Sequence, residues 1–328
     1  ALGFGLNAKA QNIVVNSTSP RNDPMWLVQN VLVGPNFLVY SPLNQFGLPL
    51  PQPPSVQLGK FTCANPAFGL DSGIVMVTTD AIEVVPGQTG TFSTFPTQTP
   101  SENLTSVLNA IGSTASSQYD RASIQFDFLA GGDSVQFDYI FASKEYTGYT
   151  CSSFNDVFGF FLIGPGINGA PLYNPNGSLR IDTVNLATIP GTNTPVAVNT
   201  INQGFPSPGT GNSASNCLAA NPNYVAHASY YNANTGGTSI IAMEGFTDVF
   251  KARAGVVCGI PYTIKLMIAD VNDGILNSAV FLGARSFKLP EINLTPTTNS
   301  GASFADTAMV EGCARSYLLF ERKGATSD

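Results

Sequence analysis

The chain has 328 residues, enough for a large core and one to three domains. Only 11% of them are charged, while Gly (32) and Pro (23) are frequent, which is the profile of a turn-rich β protein kept in solution by hydroxyl and amide groups. A formal net charge of -7 argues against a nucleic-acid partner, and no run of about 18 apolar residues is present to span a bilayer.

In chain order, "ALGFGLNAKAQ" is apolar, then small, and has the finish of a secretory signal peptide, so residues 1–10 are expected to be the end of one. "NDPMWLVQNVL" predicts a short helix with Asp23 as cap and Pro24 at its first position. "SENLTSVLNAIG" predicts a second, starting at Ser101, with Leu104, Val107, Leu108 and Ile111 at helical spacing. In "RASIQFDFLAGGDSVQFDYIFASKEY" two alternating strands flank a Gly-rich turn, the pattern of a hairpin. "DVFGFFLI" is apolar on both faces and reads as a central strand. Between about 166 and 240 the chain is rich in Gly, Asn and Pro, predicting long loops. "YTIKLMIADV" and "NSAVFLGARSF" then read as paired strands joined through the tight "NDG" turn.

The expected fold class is all-β: a jelly-roll-like antiparallel β-sandwich with two short helices, occupying residues 11–289. Residues 290–305 are polar and rich in Pro and Thr, as a linker would be. Residues 306–328 resume strand-like alternation, the expected start of a following β-sandwich domain.

Five cysteines (Cys63, Cys151, Cys217, Cys258, Cys313) form no CxxC and have no His nearby, which argues against zinc. In a secreted chain four of them would make two disulfides in one of three connectivities, with Cys313 as the odd one. The sequence also lacks HExxH, GxSxG, Walker and GxGxxG motifs, and its single histidine, His227, sits in a Tyr/Asn-rich loop. No catalytic residues are assigned, and the protein is expected not to be an enzyme.

Oxygen donors are better represented. Asp270-Val271-Asn272-Asp273-Gly274 gathers hard donors on a sharply turning backbone, and Glu145 and Asn155-Asp156 also fall at strand ends. Each group alone reads equally well as turn chemistry. Should the strands bring these ends together, the like charges would demand a cation or a proton. Glu145, Asn155, Asp156, Asp270 and Asp273 are therefore the candidate metal ligands, with Ca²⁺ the expected ion.

"FGLDSGIVMVTT", "FDYIFASKEY", "SSFNDVFGFFLIGPGI", "MEGFTDVFKA" and "YTIKLMIADVNDGILNSAVFLGARSF" occur in that order. Together they resemble the choice-of-anchor L domain of bacterial secreted and cell-surface proteins, over roughly residues 26–287. The resemblance implies an exported module of a longer protein, often cargo of type IX secretion, and no established catalytic residues. This chain departs from the family's pattern in having Lys144 before Glu145, Glu244 in "MEGFT" and Asn277 in "NSAVFL", places where the family commonly has acids or Asp.

The expected function is a non-catalytic extracellular structural or adhesive module at the N-terminal end of a long bacterial cell-surface or appendage (filament) protein. Its expected partners are copies of itself or neighbouring domains. The alternative is a Ca²⁺-dependent carbohydrate-binding module, with Tyr224, Tyr230 and Tyr231 offering stacking surfaces to surface glycans.

Overall fold

The computed structural model describes residues 12–34, 38–43, 49–50, 52–90, 98–234, 236 and 240–288, and the backbone of four later strands. The first strands are β1 (Val14–Asn16), β2 (Val39–Tyr40), β3 (Leu58–Thr62), β4 (Ser72–Val77) and β5 (Gln118–Leu129). There follow β6 (Ser134–Ser143), β7 (Val157–Gly164), β8 (Asp182–Asn185), β9 (Tyr231–Ala233) and β10 (Gly245–Thr247). The sandwich is completed by β11 (Phe250–Gly255), β12 (Pro261–Val271) and β13 (Ser278–Gly283).

Every pairing between these strands is antiparallel, in one sheet of order β1-β3-β4-β13-β6-β10-β9, with β11 also on β6, and a second of order β2-β5-β12-β7-β8. The segments β4-β13-β6-β11 and β5-β12-β7-β8 carry the strand order of a jelly roll. The all-β sandwich expected from the sequence is therefore present.

Two of the expected hairpins are not. β5 and β6 lie in different sheets, as do β12 and β13, so the "AGGD" and "NDG" turns bridge the sandwich rather than close ladders. Alternation fixes which face of a strand is buried but not which sheet it joins. The central strand of the smaller sheet is β12. β7 lies one place further out, although both its faces are covered.

Phe158, Phe160 and Leu162 of β7 point into the main core with Ile124, Phe126 and Phe128 of β5, opposite Phe137, Tyr139 and Phe141 of β6. The rings interlock: Phe141 stacks on Phe158 at 4.7 Å, and Tyr139 meets Phe160 edge-on at 4.9 Å. Val157 and Phe161 on the other face of β7 are covered by Leu104, Val107 and Leu108. This explains why "VFGFFLI" shows no alternation: helix packing buries what would otherwise be a solvent face.

Both predicted helices form. The Asp23 carboxylate accepts from Trp26 N at 2.7 Å to cap α1 (Pro24–Leu27), which runs on as a wider π turn through Val28–Leu32. α2 (Glu102–Ala110) has no side-chain cap from Ser101, whose backbone N–H instead donates to the Gln118 side chain at 2.9 Å. A third helix, α3 (Ala214–Ala220), lies in the long loop region and was not anticipated.

Its Cys217 is bonded to Cys151, while Cys63 and Cys258 are free. Among the described residues there is thus one disulfide rather than two, and Cys313 lies outside them. Residues 1–10 also lie outside the described residues. Within 290–328, β14 (Ile292–Thr298), β15 (Ser303–Ala305), β16 (Ala308–Met309) and β17 (Ser316–Arg322) form two antiparallel pairs, β14 with β17 and β15 with β16. The segment expected as a linker, 290–305, therefore contains two strands, β14 and β15.

Candidate functional site: a buried carboxylate cluster

The strand registers assemble the site. β12 pairs Ala269 with Val157, which sets Asp270 and Asp156 side by side just beyond that pair. β13 pairs Ser278 with Ser143, which brings the turn carrying Glu145 to the same end of the sandwich. A bulge where β5 meets β12 holds Asp120 in a left-handed conformation (φ 49°) and brings its charge to bear on Asp270. Asp120 and Asp270 are 0% exposed, Asp156 1% and Glu145 2%.

Hydroxyls tie the group together. Ser278 Oγ donates to Asp156 Oδ2 at 2.6 Å and lies 2.9 Å from Ser143 Oγ, which in turn accepts from Glu145 N at 2.9 Å. The other Asp156 oxygen accepts from Val271 N at 3.2 Å. Thr78 Oγ1 accepts from Ser278 N at 3.0 Å and stands beside Asp270. Neither oxygen of Asp270 receives a hydrogen bond of ordinary geometry, and Glu145 Oε2 is also buried without one.

The electrostatics follow from burial. Desolvation, with the nearby Asp156 and Asp273 charges, pushes Glu145 up to about 10. Desolvation also raises Asp156 to about 7, against the lowering effect of its bonds from Ser278 and Val271 N. Asp270 is raised well above the usual carboxylate range by burial and then by Asp156, with Thr78 opposing. No basic side chain appears among the groups acting on these three acids. Lys144, next in sequence to Glu145, reaches instead to Glu83 at 3.9 Å.

Of the five expected ligands, Glu145, Asp156 and Asp270 are thus brought together. Asp273 is half-buried and near enough to act on the first two, but one of its oxygens accepts from Ile275 N in a turn. Asn155 is directed elsewhere: its Oδ1 accepts from Asn199 N at 3.0 Å, beside the disulfide loop. Among the described residues no three His, Cys, Asp or Glu side chains are arranged so as to hold a metal ion between them. Thr78, Asp120 and Ser278 were missed. Nothing local in "VTTD", "QYD" or "NSAV" marks them, because their approach depends on how the sheets cross.

A neighbouring cleft of about 230 Å³ is bounded by α2's far end and the disulfide loop, with Ser113, Ser152, Asn199 and Asn216 on its walls. It touches the neighbourhood of the cluster through Asn155 and Asn272. The tyrosines expected to stack on sugars are packed inward: Tyr224 against the disulfide, Tyr230 edge-on to Phe250, Tyr231 against Tyr146. His227 is part-buried, its Nδ1 2.7 Å from the Asn221 amide nitrogen.

Fold and site together define a disulfide-bonded jelly roll with a carboxylate cluster buried between its sheets. The chain belongs to the choice-of-anchor L domain family, whose model matches residues 14–288. Membership puts it among modules of secreted and cell-surface proteins, and the family is not known as catalytic. No curated protein and no solved structure matches the chain. Among the described residues no helix is long and apolar enough to cross a membrane.

Proposed function

We propose that this chain is a non-catalytic structural or adhesive module of a long cell-surface or appendage protein, and that it associates with copies of itself. The observation that carries this reading is an exposed apolar groove of about 470 Å³ at the margin of the smaller sheet, lined in part by Tyr40, Leu43, Ile163, Leu179 and Ile181. Leu179 is 50% and Ile181 57% exposed, and Ile181 directly precedes the edge strand β8. Apolar side chains beside an unpaired strand edge favour edge-to-edge or face-to-face association.

Sedimentation velocity on the full chain at rising concentration tests this. Association that strengthens through the micromolar range and is lost in Ile181→Asp supports the reading. A chain that stays monomeric at every concentration counts against it.

A second reading, Ca²⁺-dependent carbohydrate binding, draws support from the hydroxyl- and amide-lined cleft near Asn155. The inward packing of Tyr224, Tyr230 and Tyr231 weakens it, since stacking faces are what such a module would present. Catalysis is disfavoured because the carboxylates whose ionisation is shifted are at most 2% exposed.

A further inference from the structure

We propose that Asp156 and Asp270, with the neutral oxygens around them, form a divalent-cation site between the two sheets, and that calcium is its ligand. This goes beyond the self-association reading and does not rest on it. Three observations of geometry carry it.

First, the two carboxylates are adjacent, fully buried and have no basic neighbour among the groups acting on them, so one dipositive ion would neutralise the pair. Second, both oxygens of Asp270 are buried and receive no hydrogen bond of ordinary geometry, although Thr78 and Asp156 stand close enough to act on it, and Oε2 of Glu145 is buried without one. Native proteins rarely leave such atoms unsatisfied, and a bound cation would satisfy them. Third, the atoms nearby are all hard: carboxylate and the hydroxyls of Thr78, Ser143 and Ser278. That donor set suits Ca²⁺ and not Zn²⁺, which seeks imidazole and thiolate.

Two carboxylates do not fill a calcium sphere of six to eight oxygens, so hydroxyl, carbonyl and water oxygens must supply the rest. Glu145 and Asp273 stand on the side of the β6–β7 and β12–β13 connections, and the half-buried Asp273 marks the side nearest solvent.

The test compares thermal melts of the full chain at pH 8 in EDTA, in millimolar Ca²⁺ and in millimolar Mg²⁺, with equilibrium dialysis against Ca²⁺ alongside. The expected result is one bound Ca²⁺ per chain and a calcium-specific rise in Tm of about 5 °C. Asp270→Asn should abolish both effects while melting at or above the wild-type temperature in EDTA, because it removes a buried charge and nearly conserves shape. If Asp270→Asn fails to fold, Asp156→Asn serves in its place. Asp182→Asn, which loses the Arg180 ion pair, should leave the calcium response intact. Identical melts in all three solutions with no bound Ca²⁺ would overturn the proposal and leave protons alone as the occupants. A calcium response that survives Asp270→Asn and Asp156→Asn would overturn it equally, by locating the ion elsewhere.

Discussion

Glu145 and Asp156 are acids that folding forces to keep their protons. Their folded pKa values, about 10 and about 7, lie above the unfolded value near 4. What these two acids contribute to stability is therefore most favourable below about pH 4 and declines as pH rises, because the unfolded chain releases protons that the folded chain retains. Asp156 contributes its loss up to about pH 7 and Glu145 continues it toward pH 10. Urea melts in EDTA at pH 5, 7 and 9 should show this fall, and Glu145→Gln should flatten the part between pH 7 and 9. An unchanged slope in that variant would mean that Glu145 is ionised in the folded chain. The disulfide works at the same scale. Its partners are 66 residues apart, so replacing Cys151 and Cys217 by serine should cost about 4 kcal/mol, read as a lower urea midpoint. A midpoint shift of a few tenths of a molar unit or less would say that the α3 loop is held by its packing alone.

Among the elements, the strands are legible because burial follows sequence. Ile124, Phe126 and Phe128 alternate and all face the core, as their spacing demands. Asp23 and Pro24 announce α1 for a local reason, a carboxylate placed to receive an orphan N–H. What a strand pairs with is not local. The jelly roll sends β5 to one sheet and β6 to the other, and a Gly-rich turn is compatible with either a hairpin or a crossing. Helix α3 escaped notice because "ASNCLAA" has too short an apolar pattern, and its position depends on Cys151. The tight contact between β4 and β13 is a further element-scale fact. A Cβ at Gly73 would collide with the carbonyl of Leu282 on the neighbouring strand, and backbone has nowhere to retreat. Gly73→Ala should therefore cost about 3 kcal/mol in a thermal or urea melt, while Gly87→Ala, in open space, should cost less. Equal costs at the two positions would contradict the reading of that contact.

For the whole molecule, the sequence revealed the acids but not their company. Asp156 and Asp270 could be singled out as strand-end oxygens, whereas Asp120, Thr78 and Ser278 joined them only through the crossing of sheets 100 or more residues apart in places. The same crossing turned Asn155 toward Asn199 and so separated it from a neighbour one residue away. It also seals Asp120, Asp156, Asp270 and Glu145 inside, all at 2% exposure or less. Contact with other molecules then falls to the outside, where Tyr40, Leu43, Leu179 and Ile181 leave apolar surface beside an open edge. The most direct measurement is amide hydrogen–deuterium exchange of the full chain at low and at high concentration. The account predicts that amides of residues 179–185 become more protected as concentration rises, and that Ile181→Asp removes the effect. Equal exchange at both concentrations across that segment would contradict self-association through this face.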